Sequence, residues 1–243
     1  MVQLDRKRTI VHSSDGKIES MQGTNSASNF SFIYLHGFAS GPQSTKARYF
    51  NEKLTSCGIT PAIPDMNIPS FTDMTLTSQI NHVGEKLIKD DCVMIGSSMG
   101  GLVATLTATR FPAVKALILL APGFGIEERW NDLVDQDKRS AWKHHGVLDV
   151  FHYASQKNEP LSYKFVEDLE SYSTRNIQVT IPTLILHGRN DEVVPVGESK
   201  NFAQQNPAHV QLIELEDGHE LIQSLPTIWS ASEKFLQEHN LIN

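Results

Sequence analysis

Ser98 stands in the stretch Gly-Ser-Ser-Met-Gly-Gly at residues 96–101, which matches the pattern G-x-S-x-G. A serine hydroxyl is a weak nucleophile until a base takes its proton, and that base needs a third group to orient it. The flanking glycines allow a turn so tight that larger side chains at Gly96 and Gly100 would collide with their neighbours. The stretch therefore predicts an exposed serine that could attack a carbonyl carbon.

The residues on either side of this pattern favour a nucleophile turn over an ordinary glycine-containing turn. Residues 92–95 form a short apolar run, which is typical of a buried parallel strand. Behind the serine, apolar residues recur at helical spacing: Met99, Leu102, Val103 and Leu106. The sequence thus predicts a strand, a sharp turn at Ser98 and a helix whose N-terminal N–H groups point at any anion formed there.

Two later strand ends supply a carboxylate and an imidazole. Asp191 follows the apolar run 183–186, and His219 follows the run 210–215. In an open α/β sheet, functional groups come from loops at the C-terminal ends of the strands. The chain order Ser98, Asp191, His219 is the order expected of such a serine hydrolase. We therefore predict that these three residues form a catalytic triad.

Other residues could in principle be the acid or the base. A lone aspartate after a strand is usually a turn former or a helix cap, and the chain has ten histidines. Glu192 is the nearest rival of Asp191, but it lies one residue farther from its strand. Asp217 is close to His219 in sequence, yet two residues in a tight loop would point apart. The coincidence of three strand ends in the expected order favours Asp191.

An acyl-transfer reaction also needs N–H donors for the oxyanion that develops on the substrate. The N–H of Met99, the first in the helix after Ser98, is one candidate. The N–H of Phe38, in the loop after the strand 30–35, is the other. His36 lies at the end of the same strand, and we expect it to be structural and to anchor this loop by hydrogen bonding.

Strand-like runs alternate with helix-like runs, which predicts an α/β fold with a mostly parallel doubly wound sheet. The strands are predicted at residues 30–35, 59–63, 92–95, 116–121, 183–186 and 210–215. The helices are predicted at residues 47–54, 76–87, 99–106, 197–205 and 228–235. Before the first strand, residues 9–20 are typical of a hairpin and residues 22–29 of a polar loop.

Residues 126–179 interrupt this alternation, because they are rich in charged and aromatic residues and lack an apolar strand run. We predict that they form a helical cap inserted over the C-terminal edge of the sheet, within one domain that spans residues 1–243. Tyr153, Tyr163 and Phe165 are candidates for binding the substrate. The alternative interpretation is that these aromatic side chains form a small core of the insertion itself.

Composition limits the partners and the compartment. The net charge of −7 argues against nucleic acid as a partner. No apolar run approaches the roughly 18 residues of a membrane span, and no signal-peptide core follows the basic N-terminus. Cys57 and Cys92 are the two cysteines, and we expect them to be free thiols in the reducing cytoplasm. No pattern indicates a cofactor, a metal or an oligomeric state.

Several of these stretches resemble motifs of the α/β-hydrolase superfamily, and the resemblance covers nearly the whole chain. Residues 34–47 read Tyr-Leu-His-Gly-Phe-Ala-Ser-Gly-Pro-Gln-Ser-Thr-Lys-Ala and are similar to the small bacterial esterases of the YqiA/YcfP type, which share His-Gly-Phe, Ser-Pro and Lys-Ala. The motifs His-Gly-x-x-Asp-x-Val-Val-Pro and Gly-His belong to the wider family. The resemblance implies a serine esterase or thioesterase that cleaves a small or medium acyl ester or thioester through an acyl-enzyme.

The chain departs from these relatives in two places, and two other functions stay open. The insertion at 126–179 is longer, and Pro-Asp-Met-Asn-Ile-Pro at residues 64–69 replaces an Arg-Gly-x-Gly loop. Both departures affect the expected substrate, not the chemistry. An acyltransferase or a lyase would use the same triad. A ligand-binding member of the fold that has lost the reaction would not need to keep all three residues.

Overall fold

The computed structural model describes residues 30–243, with the side chains of residues 130–133 excepted. The hairpin predicted over residues 9–20 and the loop over 22–29 lie outside the described residues. Seven strands are found in the described part: β1 (Ser31–Leu35), β2 (Cys92–Ser97), β3 (Val114–Leu120), β4 (Val147–His152), β5 (Lys157–Ser162), β6 (Thr183–Gly188) and β7 (Val210–Leu215). Five of them form a parallel sheet in the order β1-β2-β3-β6-β7.

Eight α-helices lie in the described part of the chain. They are α1 (Thr45–Ser56), α2 (Leu76–His82), α3 (Met99–Ala108), α4 (Ile126–Leu133), α5 (Gln136–His145), α6 (Lys164–Leu169), α7 (Val196–Gln205) and α8 (Leu225–Glu238). A short π-helical segment, Val83–Leu87, continues α2. None of the helices in this part of the chain is long and apolar enough to cross a membrane.

The inner strands of the central sheet are buried on both faces, as the continuous apolar runs predict, whereas the edge strand β7 is only partly buried. Every residue of β2 and β6 is buried. Because side chains alternate along a strand, Val93 and Ile95 face α1 and α8, whereas Met94 faces α2 and α3. The predicted doubly wound parallel sheet is therefore confirmed.

The strand predicted over residues 59–63 is wrong, since the structure has only an isolated bridge there. Ala62 N–H donates to Phe32 O, and Tyr34 N–H donates to Ala62 O, each at 2.8 Å. Pro61 and Pro64 flank this point and have no N–H to donate, so the ladder cannot extend in either direction.

The insertion is helical only in part. Helices α4, α5 and α6 lie within it, but β4 and β5 form an antiparallel hairpin between α5 and α6. The indole N–H of Trp142 in α5 donates to Leu161 O in β5 at 2.8 Å, which joins the helix to the hairpin. Phe165 is fully buried and belongs to the same hydrophobic cluster as buried residues of α2 and α3. Thr77 N–H in α2 donates to the Asp168 carboxylate at 2.9 Å. The insertion is thus packed onto the sheet layer.

Candidate active site

Ser98 makes the whole turn between β2 and α3, and its backbone has φ 53° and ψ −119°. A positive φ is unusual for serine and costs free energy unless the surroundings hold it. Here Ser98 N–H donates to Leu120 O, and Gly123 N–H donates to Ser98 O, both at 2.9 Å. These bonds hold the strained residue from the end of β3 and from the turn that follows it.

The two flanking glycines are required by close backbone contacts. A Cβ atom at Gly96 would lie 2.4 Å from Gly100 O, and one at Gly100 would lie 2.2 Å from Leu35 O. No side chain fits at such distances, so the helix behind Ser98 can approach β1 and β2 only with glycine at both positions. The strand–turn–helix arrangement predicted from the sequence is confirmed.

Ser98, His219 and Asp191 are brought together in one hydrogen-bonded row. His219 Nε2 lies 3.0 Å from Ser98 Oγ, and His219 Nδ1 lies 2.7 Å from Asp191 Oδ2. An ionised carboxylate only accepts hydrogen bonds, so His219 Nδ1 carries the hydrogen and Nε2 can accept the Ser98 O–H. Ser98 and His219 are partly exposed, and Asp191 is buried. This geometry can move a proton from the serine hydroxyl to the imidazole.

The two rival acids are used elsewhere or face solvent. The Asp217 carboxylate accepts hydrogen bonds from Gly218 N–H at 2.8 Å and from Ser224 N–H at 3.0 Å, so it shapes the His219 loop. Glu192 is exposed. Among the three carboxylates considered, Asp191 is the one bonded to His219.

Asp191 is held by four donors. Oδ1 accepts the N–H groups of Val193 and Val194, at 2.9 and 2.7 Å, and Oδ2 accepts from His219 and from His187 Nε2 at 3.1 Å. Burial by itself raises the pKa of this carboxyl group, but the hydrogen bonds from His187, His219 and Val194 outweigh burial and hold the pKa of Asp191 well below its usual range. Asp191 is therefore ionised at neutral pH and can stabilise a protonated His219.

His187 is the residue of this site to which the sequence analysis assigned no role. It is fully buried at the end of β6, with Nε2 2.9 Å from Val194 O and Nδ1 2.8 Å from Ser199 Oγ. The available signal was its position four residues before Asp191 in His-Gly-x-x-Asp. The spacing alone does not indicate that the His187 imidazole bonds to the Asp191 carboxylate.

The loop after β1 runs beside Ser98, as expected for an oxyanion loop. A Cβ atom at Gly37 would lie 3.3 Å from Ser98 Cβ and 3.9 Å from Ser98 Oγ. Phe38, the predicted donor, follows directly, and Met99 begins α3, where no helical carbonyl accepts its N–H. His36 is buried and accepts Met66 N–H at its Nε2, at 2.9 Å. The prediction that His36 anchors this loop is confirmed.

The three aromatic residues predicted to bind substrate occupy different environments. Tyr153 is 68% exposed, and its main-chain N–H donates to Ala39 O in the loop after β1 at 2.8 Å. Phe165 is buried with its ring centroid 5.4 Å from that of Phe38. Tyr163 is buried against Trp142, at a centroid distance of 5.6 Å. A role in substrate binding remains a prediction for each of them.

In the described part of the chain, no cluster of three or more His, Cys, Asp or Glu side chains could hold a metal ion. Cys57 is exposed and Cys92 is buried, and both are free thiols. A polar groove of about 360 Å³ lies beside α7, and Ser98 and His219 do not line it.

Solved structures similar to this one are α/β hydrolases. Est1E from Butyrivibrio proteoclasticus, solved with ferulic acid bound, has a TM-score of 0.73 and 25% identity, and the match covers 88% of this chain and 91% of that one. Mouse alpha/beta hydrolase domain-containing protein 10 has a TM-score of 0.70 and 20% identity over 86% and 90% of the two chains. The esterase Pf2001 from Pyrococcus furiosus has a TM-score of 0.61 and 21% identity over 87% and 83%.

A search of the curated proteins found no relative. The model of one protein family, described as the uncharacterised protein family UPF0227, matches residues 31–236. This match covers the five-stranded sheet, the Ser98 turn and the loops that carry Asp191 and His219. The chain has the α/β-hydrolase fold and belongs to the UPF0227 family, which includes the YqiA/YcfP-type esterases.

Proposed function

We propose that this protein is a serine hydrolase that cleaves a small or medium carboxylic ester or thioester. The observation that carries the proposal is the row of bonds from Ser98 Oγ through the His219 imidazole to the Asp191 carboxylate, at 3.0 and 2.7 Å. The fold supports a hydrolase of the ester type. Est1E is 25% identical and was solved with ferulic acid, a carboxylic acid and so a member of the product class that ester hydrolysis releases.

The reaction begins when Ser98 Oγ attacks the carbonyl carbon and passes its proton to His219 Nε2. Asp191 holds the imidazole by Nδ1 and stabilises its positive charge. The N–H groups of Met99 and Phe38 bind the oxyanion of the tetrahedral intermediate. When the intermediate collapses, the carbon–oxygen or carbon–sulfur bond breaks, and the leaving alcohol or thiol takes the proton from His219. The acyl group remains as an ester on Ser98.

Water completes the cycle by attacking the acyl-enzyme. His219 takes a proton from the water as it adds to the carbonyl carbon, and the same two N–H groups bind the second oxyanion. Collapse breaks the bond to Ser98 Oγ, which regains the proton from His219, and a carboxylic acid leaves. The net reaction consumes one water for each ester cleaved and needs no cofactor.

Residues 126–179 act in this proposal as a cap within the single α/β-hydrolase domain. The contacts of Phe165 with Phe38 and of Tyr153 N–H with Ala39 O support it, because both join the insertion to the oxyanion loop. A cap of this kind excludes water and contacts the acyl or alcohol part of the substrate.

The two free thiols, Cys57 and Cys92, favour action in the cytoplasm.

A fluorophosphonate probe tests the nucleophile, because it reacts with a serine that a neighbouring base activates. Wild-type protein should be labelled and should hydrolyse p-nitrophenyl esters, and Ser98→Ala should lose both properties. Ser97→Ala is the matched control, since this adjacent serine is buried at the end of β2 and should leave labelling intact. Labelling that survives in Ser98→Ala would overturn the assignment.

Product analysis separates hydrolysis from acyl transfer by the same residues. We expect the free acid to form from acetyl, butyryl and octanoyl esters and from a matching thioester, even with an added alcohol. An acylated alcohol as the main product would make the protein an acyltransferase. Binding of esters without turnover by wild type would identify a ligand-binding member of the fold.

A further inference from the structure

Two histidines bond to the same oxygen of Asp191. Oδ2 lies 2.7 Å from His219 Nδ1 and 3.1 Å from His187 Nε2, and the two imidazoles come from the loop after β7 and from strand β6. His219 is partly exposed and reaches Ser98, whereas His187 has no exposed surface. The proposed reaction uses the contact of Asp191 with His219 but not its contact with His187.

The hydrogen-bond partners of His187 fix which of its nitrogens carries hydrogen. Nε2 faces two acceptors, Asp191 Oδ2 and Val194 O at 2.9 Å, so it must donate. Nδ1 lies 2.8 Å from the hydroxyl of Ser199, which is fully buried and can donate its O–H there. In this arrangement every polar atom of the imidazole has a partner, and a neutral ring points one N–H at the carboxylate.

We propose that His187 is a positioning residue for the ester hydrolysis proposed above. It holds the Asp191 carboxylate against His219, and its N–H reduces the negative charge that Oδ2 presents to that imidazole. Only the expected effects on kcat, KM and the pH profile of kcat/KM rest on the proposed function. The sharing of one carboxylate oxygen between a reactive and a buried histidine is the structural observation behind it.

The consequence for His219 follows from the charges that face the pair. In the described part of the chain, Lys46 from α1 and Asp217 and Glu220 from the loop of His219 are charged groups close to this pair. Replacing His187 leaves all of them in place. Without its N–H, Asp191 Oδ2 has a single side-chain donor and stabilises a protonated His219 more strongly. The carboxylate also loses one of the bonds that orient it.

The decisive experiment is an NMR titration of the His219 ring in wild type, His187→Phe and His187→Gln. Phenylalanine keeps a planar ring but removes the donor, whereas the glutamine side-chain amide can still donate from about the position of Nε2. We expect the titration midpoint of His219 to rise by about 0.5–1 pH unit in His187→Phe. This is a fraction of the roughly 1–2 units that a hydrogen bond to a charged group is worth, because the lost bond acts on His219 only through Asp191. In His187→Gln it should stay near the wild-type value.

Kinetics supply the second readout. In His187→Phe the acid limb of the pH profile of kcat/KM should move upward with the titration midpoint, and kcat should fall roughly tenfold with KM little changed, because positioning acts on the reaction step. His187→Gln should restore most of kcat. A purely structural role would lower stability and leave both pH midpoints where they are in the wild type.

A buried histidine elsewhere provides the control for the titration. His36 directly follows β1, and its contacts are with Gly37 O, Met66 N–H and the Asp65 carboxylate, none of which belongs to the site of Ser98. His36→Gln should therefore leave the His219 midpoint unchanged. If His187→Phe does not fold, His187→Leu also lacks the donor and replaces it in the comparison.

An unchanged His219 midpoint in a folded variant without the donor would overturn the inference. The titration does not depend on turnover, so it distinguishes this failure from that of the proposed function. Wild type that hydrolyses no ester would remove the proposed function, and the NMR comparison would still decide whether His187 acts on His219 through Asp191.

Discussion

Lys46 and Glu220 meet although 174 residues separate them in the chain: Lys46 Nζ donates to Glu220 O at 3.0 Å. Lys46 lies in the first turn of α1 with only 8% of its surface exposed. Burial lowers the pKa of this ammonium group, and the carboxylate of Glu220 opposes that effect. Because Glu220 follows His219 directly, the bond holds the main chain next to the proposed base.

Lys46→Met should therefore reduce activity more than stability. The loss of the bond to Glu220 O frees the loop of His219, and we expect kcat/KM to fall roughly tenfold because the base is less well placed. Glu220→Gln is the control, since it keeps the main-chain carbonyl and should retain most of the activity. Equal losses in both variants would show that the side-chain carboxylate of Glu220 is the partner that matters.

Asp191→Asn should be far more damaging than Glu192→Gln. An amide at position 191 cannot stabilise a protonated His219 and can hold the imidazole in the wrong tautomer. The equivalent change in a serine protease costs about 10⁴-fold in kcat, and we expect a loss of that order here. Glu192 is exposed, and its replacement should change kcat/KM by less than about twofold. A larger effect at Glu192 would mean that the acid is assigned wrongly.

Acid should destabilise the fold through Asp191. Its pKa is lower in the folded than in the unfolded state, so the folded state gains stability from this group above the unfolded value of 3.8. That contribution is lost as the pH falls from about 4 toward the lower pKa of the folded carboxylate, because over this range the unfolded chain takes up a proton that the folded chain does not. Guanidinium unfolding between pH 6 and pH 2 measures the loss, which should be smaller in Asp191→Asn. An equal loss in the variant would contradict this account.

Gly100→Ala should abolish the native turn. Its Cβ would lie 2.2 Å from Leu35 O, and main-chain atoms cannot move away cheaply. We expect a loss of about 3 kcal/mol or more in the free energy of unfolding, or no folded protein. Gly197→Ala is the matched control, because no atom lies within 4 Å of a Cβ there. In helix α7 that change should be neutral or stabilise by up to about 1 kcal/mol.

Tyr153→Ala tests the substrate-binding role of the cap. This side chain is exposed, so its removal should leave stability within about 0.5 kcal/mol. If it contacts the acyl chain, the ratio of kcat/KM between octanoyl and acetyl esters should fall about tenfold, the value of one lost apolar contact. Val147→Ala, at the other end of the exposed face of β4, should leave this ratio unchanged. An unchanged ratio in Tyr153→Ala would remove this residue from the substrate site.

Sequence reasoning works for the central sheet because its strands are apolar on both faces and end in turn residues. The runs at β2, β3 and β6 need no neighbours to be recognised. It fails for the hairpin, since β5 reads Lys-Asn-Glu-Pro-Leu-Ser and has no alternating apolar pattern. That strand exists because β4 supplies its partners and Trp142 bonds to Leu161 O. Such tertiary contacts leave no local signal.

In the site, too, some residues can be predicted from the sequence and others depend on tertiary contacts. Ser98, Asp191 and His219 follow strands, so topology alone brings them to one edge of the sheet. His187 lies inside strand β6 and looks like a buried strand residue. Its bond to Asp191 depends on how the chain turns at Gly188, where a Cβ would lie 2.3 Å from Asp217 O. The close approach of two loops decides that turn, and a linear pattern does not contain it.

The hydrogen bond from Tyr153 N–H to Ala39 O involves main-chain atoms only. Any residue other than proline at position 153 can make it, because proline alone lacks the N–H. In the proposed function, support of the loop after β1 and contact with the substrate are therefore separate properties of the same hairpin. Mutations can accumulate on its exposed face, at Val147, Phe151 and Tyr153, while the loop keeps its conformation. If the proposed cap contacts the substrate, a designed library at these exposed positions should change specificity while the main-chain bond to Ala39 O is kept.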